Sequence, residues 1–221
     1  MTTSSFDTDW LTQRRFQPVL ADFGADFSGV LVDVGCGRSP YRAFFQSASA
    51  YKRFDVVAAD DEVTTAPGHS LPLPDQTADL LLATQILGDL PNPNRDFAEW
   101  ARVLKPSGLL IIFETVAYPE HDLPHDYWRI MPRGVEILAA SAGFELVSMK
   151  RIGGIFSRIV LLINRQVIER LRAVRIISPL VTLITFVLNI AAAGLDRLAP
   201  MPSAATDYVA VFKNKGASIA K

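Results

Sequence analysis

The stretch that most constrains this 221-residue chain is Val30-Leu31-Val32-Asp33-Val34, followed at once by Gly35-Cys36-Gly37. A short run that is apolar but for one acid reads as a strand buried on both faces, and such strands belong to parallel sheets. From there to about residue 150, short apolar runs alternate with helical patterns, the signature of repeated strand–helix–strand units. The pattern predicts strands near 30–34, 51–57, 78–83, 108–114, 144–149 and 207–212, with helices near 40–47, 93–104 and 132–142. Ahead of them, Asp7 or Asp9 would cap a helix on which Phe16, Val19, Leu20, Phe23 and Phe27 recur at roughly helical spacing.

A glycine pair directly after a buried strand has two readings, a plain tight turn or a loop that lets backbone approach a ligand. The helix expected at 40–47 would then point its N-terminal amides at that ligand. A dinucleotide loop needs a third glycine at position 40, where the chain has Pro40, so a cofactor without pyrophosphate is favoured. The next strand, Tyr51-Lys52-Arg53-Phe54-Asp55, ends in a carboxylate. The carboxyl ends of neighbouring parallel strands share one crevice, so Asp55 would face the same ligand and could accept both hydroxyls of a ribose. Asp60 and Asp61 compete for that role from poorer strand context.

Two further segments carry a family resemblance. Leu71-Pro72-Leu73-Pro74-Asp75 leads into Ala78-Asp79-Leu80-Leu81-Leu82, and Phe97-Ala98-Glu99-Trp100-Ala101-Arg102-Val103-Leu104-Lys105-Pro106-Ser107-Gly108 leads into Leu109-Leu110-Ile111-Ile112. Together with the glycine loop and Asp55, these resemble the class I S-adenosylmethionine-dependent methyltransferases over most of residues 30–150. The resemblance implies a Rossmann-like α/β/α sandwich on a seven-stranded, mostly parallel sheet with an antiparallel last strand, and S-adenosylmethionine as cofactor. It implies that Asp33 organises the loop and the methionine end, that Gly35 and Gly37 allow close approach, and that Asp55 binds ribose. Thr84, at the end of the fourth strand of the family pattern, joins the expected cofactor-binding set. Relatives often carry an acid ahead of the Leu-Pro-Leu segment to bind the adenine amino group; here that position is Pro67, which leaves backbone groups, His69 and Ser70. Gly88-Asp89 also stands where Glu-His is common.

The segment Tyr118 to Arg129 is dense in polar and aromatic residues and leaves a strand end bordering the expected crevice. Methyl transfer to oxygen or nitrogen requires positioning and, for some acceptors, removal of a proton, which suits a histidine. His125 is the first candidate base, His121 the second, with Asp126 beside them; the competing reading is a loop that packs Tyr127 and Trp128 as core. No third ligand accompanies the two histidines, so no metal is expected.

Hydrophobic residues make up 49% of the chain, and the excess lies between Ile155 and Leu198. Ile176–Leu195 contains no charge and meets the length of a membrane span, yet Ser178-Pro179 reads as a helix start that shortens the apolar helix to about 17 residues, roughly 26 Å. A single crossing would also strand residues 207–212 on the far side of the membrane from their sheet. Ser178, Thr182, Thr185 and Asn189 form one weakly polar stripe suited to a helix partner or a cavity. Before it, Phe156, Ile159, Val160, Ile163, Val167, Leu171 and Val174 share a face opposite Arg158, Arg165, Glu169 and Arg172, with Arg170 and Arg175 adding charge. Two readings follow: a hairpin in peripheral contact with an anionic membrane surface through 155–198, or a lid or homodimer interface.

The expected organisation is a single domain over 1–221, its core at 28–152 and 203–214 and its helical insertion at 153–202. The net charge of −1 gives no reason to expect nucleic acid, and one cysteine allows no intrachain disulfide. The N-terminal segment carries acids where a secretory signal carries a basic region, which predicts a cytoplasmic protein, peripheral at the inner membrane face. The expected activity is methyl transfer to a small or lipid-linked acceptor. A non-catalytic membrane-associated scaffold and a nicotinamide oxidoreductase are the alternatives.

Overall fold

Apolar runs bounded by turn residues give the strands of a computed structural model that describes residues 4–174 and 176–216. In chain order the main elements are α1 (Trp10–Gly24), β1 (Val30–Val34), β2 (Ala50–Asp55), β3 (Val63–Thr65), β4 (Ala78–Thr84), α2 (Pro93–Val103) and β5 (Leu104–Thr115). They continue with α3 (Pro132–Ser141), β6 (Phe144–Ile152), α4 (Ile155–Ile163), α5 (Glu169–Arg172), α6 (Ser178–Leu198) and β7 (Asp207–Asn214). The seven strands form one mostly parallel sheet in the order β3-β2-β1-β4-β5-β7-β6, antiparallel at its end, as the sequence implied. β1 sits between β2 and β4, pairing in parallel with both, and four of its five residues are buried. α2 starts at Pro93, whose missing amide costs nothing in the first helical turn, and it buries Phe97, Trp100 and Val103.

Three local expectations are corrected. Between β1 and β2 there is no α-helix among the described residues, only a 3-10 turn at Arg42–Phe44. Ser39, ahead of Pro40, adopts φ 48°, outside the helical range that a following proline already disfavours, and Gln46-Ser47-Ala48-Ser49 offers nothing to extend a helix. Ser107-Gly108 does not precede the fifth strand but forms an irregularity inside β5: Ala78 pairs with Leu104 but Leu80 with Leu109, and Ser107 takes φ 67°. Ser178 is the first residue of α6 rather than its cap, so that helix runs 21 residues. β3 went unforeseen, because three residues are too few to show a period.

Two compact units emerge. The sheet unit comprises residues 20–114, 122–150 and 209–221, and the helical unit comprises 1–19, 115–121 and 151–208. Within the helical unit, the weakly polar stripe on α6 has protein partners: Asn164 donates Nδ2–H to Asn189 Oδ1 (3.0 Å), and Asn189 donates to the carbonyls of Ser5 (3.0 Å) and Asp7 (2.9 Å). Asn164 lies in a π-helical turn at 164–168 between α4 and α5, where an extra residue swings its amide inward. Asp196 of α6 caps α4, accepting the amides of Phe156 (3.2 Å) and Ser157 (3.3 Å) and the Ser157 hydroxyl. The outer face of α6 is apolar and open, with Leu180, Leu183, Val187 and Leu198 exposed, as are Ile159, Val167 and Leu171. Arg175 and the Arg172 side chain, part of the expected basic face, lie outside the described residues.

Candidate functional site

The carboxyl ends of β1, β2 and β4 open onto a cavity of about 260 Å³ in the sheet unit. Val34, Gly35, Gly37, Asp55, Val56, Ala66, Gly68, Thr84, Gln85, Ile86, Asp89 and Leu90 line it. Gly35 and Gly37 both adopt left-handed φ, 64° and 48°. A Cβ on Gly35 would lie 2.2 Å from Ile86 Cγ2, whereas one on Gly37 would project into open space. Glycine at 35 is therefore demanded by packing as well as conformation, and glycine at 37 keeps the cavity clear.

The loop is held from β2. Asp55 accepts the Gly37 amide on Oδ2 (2.8 Å) and the Val57 amide on Oδ1 (3.1 Å), leaving lone pairs on both oxygens for diol hydroxyls. Arg53, 5% exposed, donates Nε–H to Ser39 Oγ (2.7 Å) and forks onto Asp60 (2.6 and 2.9 Å). Asp60 thus anchors the loop rather than competing with Asp55. Behind the loop, Asp33 is buried and accepts the Tyr51 hydroxyl at 2.7 Å. Burial pushes Asp33 up to about 7 despite that bond, and burial together with the Asp33 charge drives Tyr51 well above the usual phenol range.

At the other end of the cavity, the loop after β3 is fastened from α2. Trp100 donates Nε1–H to the Gly68 carbonyl (3.1 Å), and Glu99 Oε1 accepts the Leu71 amide (2.7 Å). Ala66 and Gly68 line the cavity here, with His69 and Ser70 following in the same loop. His69 Nδ1 lies 4.0 Å from Oδ1 of Asp96, a buried carboxylate that sequence reasoning missed. An acid in the first turn of a helix reads as a favourable dipole contact, so nothing local marked it.

The histidine segment is split between the units. The residues after His125 and Asp126 dock on the loop that follows β4: the amides of Tyr127 (2.8 Å) and Trp128 (3.1 Å) donate to the Gly88 carbonyl, and Trp128 Nε1–H to that of Leu90 (2.9 Å). Asp126 is engaged by Arg129 at 2.5 and 2.7 Å, while the His125 ring lies 3.3 Å from the Tyr127 hydroxyl. A second cavity of about 420 Å³, lined by Pro91, Asn92, Trp128, Ile130, Met131 and Leu138 among others, adjoins this loop. His121 belongs to the helical unit, its ring edge-on to Tyr118 at 4.8 Å.

Comparison with known proteins agrees with this geometry. Residues 32–112 match a family described as a methyltransferase domain. A 37.1 kDa protein in transposon TN4556 of Streptomyces fradiae is 29% identical over 111 residues, 43% of this chain and 32% of that protein, so the match spans about a third of the relative. Among solved structures, the (4+2)-cyclase SpnF is similar over 92% of this chain and 81% of its own, with TM-score 0.63 and 22% identity. A methyltransferase from Archaeoglobus fulgidus described as S-adenosylmethionine-dependent covers 93% and 97%, with TM-score 0.59 and 14% identity. The 1,6-didemethyltoxoflavin N1-methyltransferase of Burkholderia thailandensis, solved with S-adenosylhomocysteine, covers 95% and 80%, with TM-score 0.56 and 17% identity. Sequence match over residues 32–112, sheet order and glycine cleft together make the chain similar to the class I S-adenosylmethionine-dependent methyltransferases.

Proposed function

We propose that the protein transfers a methyl group from S-adenosylmethionine to an oxygen or nitrogen of a small or lipid-linked acceptor in the cytoplasm. The observation that carries this reading is the cleft itself: a glycine loop free of side chains, with the Asp55 carboxylate fixed beside it at the ends of adjacent parallel strands. Asp55 would accept the ribose hydroxyls, Asp33 would brace the loop toward the methionine end, Thr84 would close the strand end, and the 66–70 loop with His69 and Ser70 would flank adenine. The cofactor supplies a methyl group on a sulfonium; the residues around it position the acceptor and take up a proton where the acceptor must lose one.

His125 is the proposed base, with His121 the second candidate. Asp126, held by Arg129, would position the segment. Replacing His125 with alanine is expected to lower kcat by about 10²- to 10⁴-fold with cofactor affinity unchanged. The lipid-linked part of the proposal draws on the exposed apolar face of α6 with exposed Arg170 and Arg197 nearby in sequence, which suits an anionic bilayer surface.

The deciding experiment is calorimetric titration with S-adenosylmethionine, S-adenosylhomocysteine and NAD, for the wild type and Asp55→Ala. Binding of the first two that Asp55→Ala weakens supports the reading. No binding by folded protein favours a non-catalytic scaffold, the alternative that Pro67 and Gly88-Asp89 keep in view, and binding of NAD alone favours an oxidoreductase.

A further inference from the structure

A single stretch of chain walls two cavities. Asp89 and Leu90, after β4, line the cofactor cleft, and the next four residues, Pro91-Asn92-Pro93-Asn94, line the neighbouring cavity of about 420 Å³ together with Trp128 and Met131. Trp128 is fixed yet open. Its indole N–H donates to the Leu90 carbonyl at 2.9 Å and its amide to the Gly88 carbonyl at 3.1 Å, while the residue stays 47% exposed. Gly88, a departure already visible in the sequence, permits this docking: a Cβ there would lie 3.2 Å from the Trp128 carbonyl oxygen and 3.6 Å from Arg129 Nη1. Among the described residues that line the second cavity, Arg129 alone carries a charge, and the buried carboxylate of Asp126 meets it at 2.5 and 2.7 Å. Asn92, at the cap position of α2, makes no capping bond with its side chain, which leaves a neutral amide at the cavity wall.

We propose that this second cavity holds the methyl acceptor, and that the acceptor presents a flat, uncharged aromatic ring to the face of Trp128. The inference rests on the methyl-transfer reading above and narrows its acceptor class. An indole pinned through its N–H is a rigid surface that needs little ordering on binding, and flat rings gain from stacking on it where puckered rings of equal size do not. The wall is largely apolar and its one charge is already met, so an ionised group buried there would lose hydration without return. The cavity has the size of a small-molecule pocket, and the residue whose carbonyl holds the indole, Leu90, also lines the cofactor cleft, so a ring seated on Trp128 stands beside the cofactor.

The test sets naphthol against decalol, its fully saturated counterpart, on the full chain with S-adenosylhomocysteine present. The chain has three tryptophans, and Trp128→Leu identifies which indole N–H resonance belongs to position 128. Naphthol should shift that resonance and bind about fivefold or more tighter than decalol, the scale of one aromatic stacking contact. Trp128→Leu should remove the preference. Met131→Glu, at a half-exposed position where an acid suits the start of α3, should weaken naphthol by a similar factor through the charge it places at the cavity. Both variants should keep the wild-type affinity for S-adenosylhomocysteine, which reports that they are folded. Equal binding of naphthol and decalol, a preference that survives Trp128→Leu, or naphthol binding untouched by Met131→Glu overturns the assignment while leaving the cofactor reading intact. A wild type that fails to bind S-adenosylhomocysteine overturns both.

Discussion

The two units differ in how particular carboxylates are held. In the helical unit two buried carboxylates are satisfied: Asp196 caps α4, and Asp207 accepts hydroxyls from Thr206, from Thr115 (2.7 Å) and more distantly from Thr12 (3.4 Å), while Asn164 donates a side-chain hydrogen bond to Asn189. In the sheet unit two stay open: Asp55, at the cleft, keeps lone pairs free, and Asp96, buried beneath the 66–70 loop, meets no hydrogen-bond partner among the described residues. Apolar surface divides the other way: β1, β4 and β5 of the cleft unit are largely buried, whereas the helical unit exposes a stripe along α6. Closed polar groups specify a packing arrangement, and open ones await something from outside the chain.

This contrast can be broken at four points. The largest effect is expected for Asp196→Ala, which strips two amides and a hydroxyl of their acceptor and should cost about 3 kcal/mol in chemical denaturation while leaving S-adenosylhomocysteine affinity unchanged. A parallel loss of affinity would show that the closed set serves the ligand too. Asp55→Ala should do the reverse, weakening the ligand by about 2 kcal/mol with a much smaller change in stability.

Third comes pH. Asp33 rises to about 7 and Asp96 to about 6, so between about pH 4 and those values the folded chain holds protons that the unfolded chain has released. Stability should therefore fall as pH rises through that window, and Asp33→Asn should flatten the slope more than Asp96→Asn. A melting temperature that increases from about pH 5 to about pH 8 would contradict these ionisation states. The smallest stability change, within about 0.5 kcal/mol, is expected for Leu183→Ser with Val187→Ser, both exposed. The same pair should sharply reduce sedimentation with anionic vesicles; unaltered vesicle binding would remove the membrane reading.

How much of this was legible in the sequence follows from the range of the interactions. The glycine loop, Asp55 and the strands around them declare themselves through turn chemistry and hydrophobic period, which act over a few residues. Residues 40–47 misled because Tyr41, Phe44 and Phe45 have helical spacing, while the conformation of Ser39 before Pro40 decides the start of the segment. The burial of Asp96 was hidden because it depends on the loop at Gly68, 28 positions earlier in the chain, and on the anchoring of that loop by Trp100. Two of the partners of Asn189 lie at Ser5 and Asp7, more than 180 residues away, beyond any periodic signal. The stripe on α6 was visible, but the identity of what covers it was not.

The 3-10 turn that replaces a helix after the glycine loop bears on turnover. A helix would aim a positive dipole end at the bound cofactor, and here Asp55 and Asp89 line the cavity without that counterweight. On the proposed function, the field of the cleft favours a sulfonium cation over the neutral thioether left after transfer. The spent cofactor would then dissociate more readily than the fresh one, an asymmetry that relieves product inhibition and fades as added salt screens the charges.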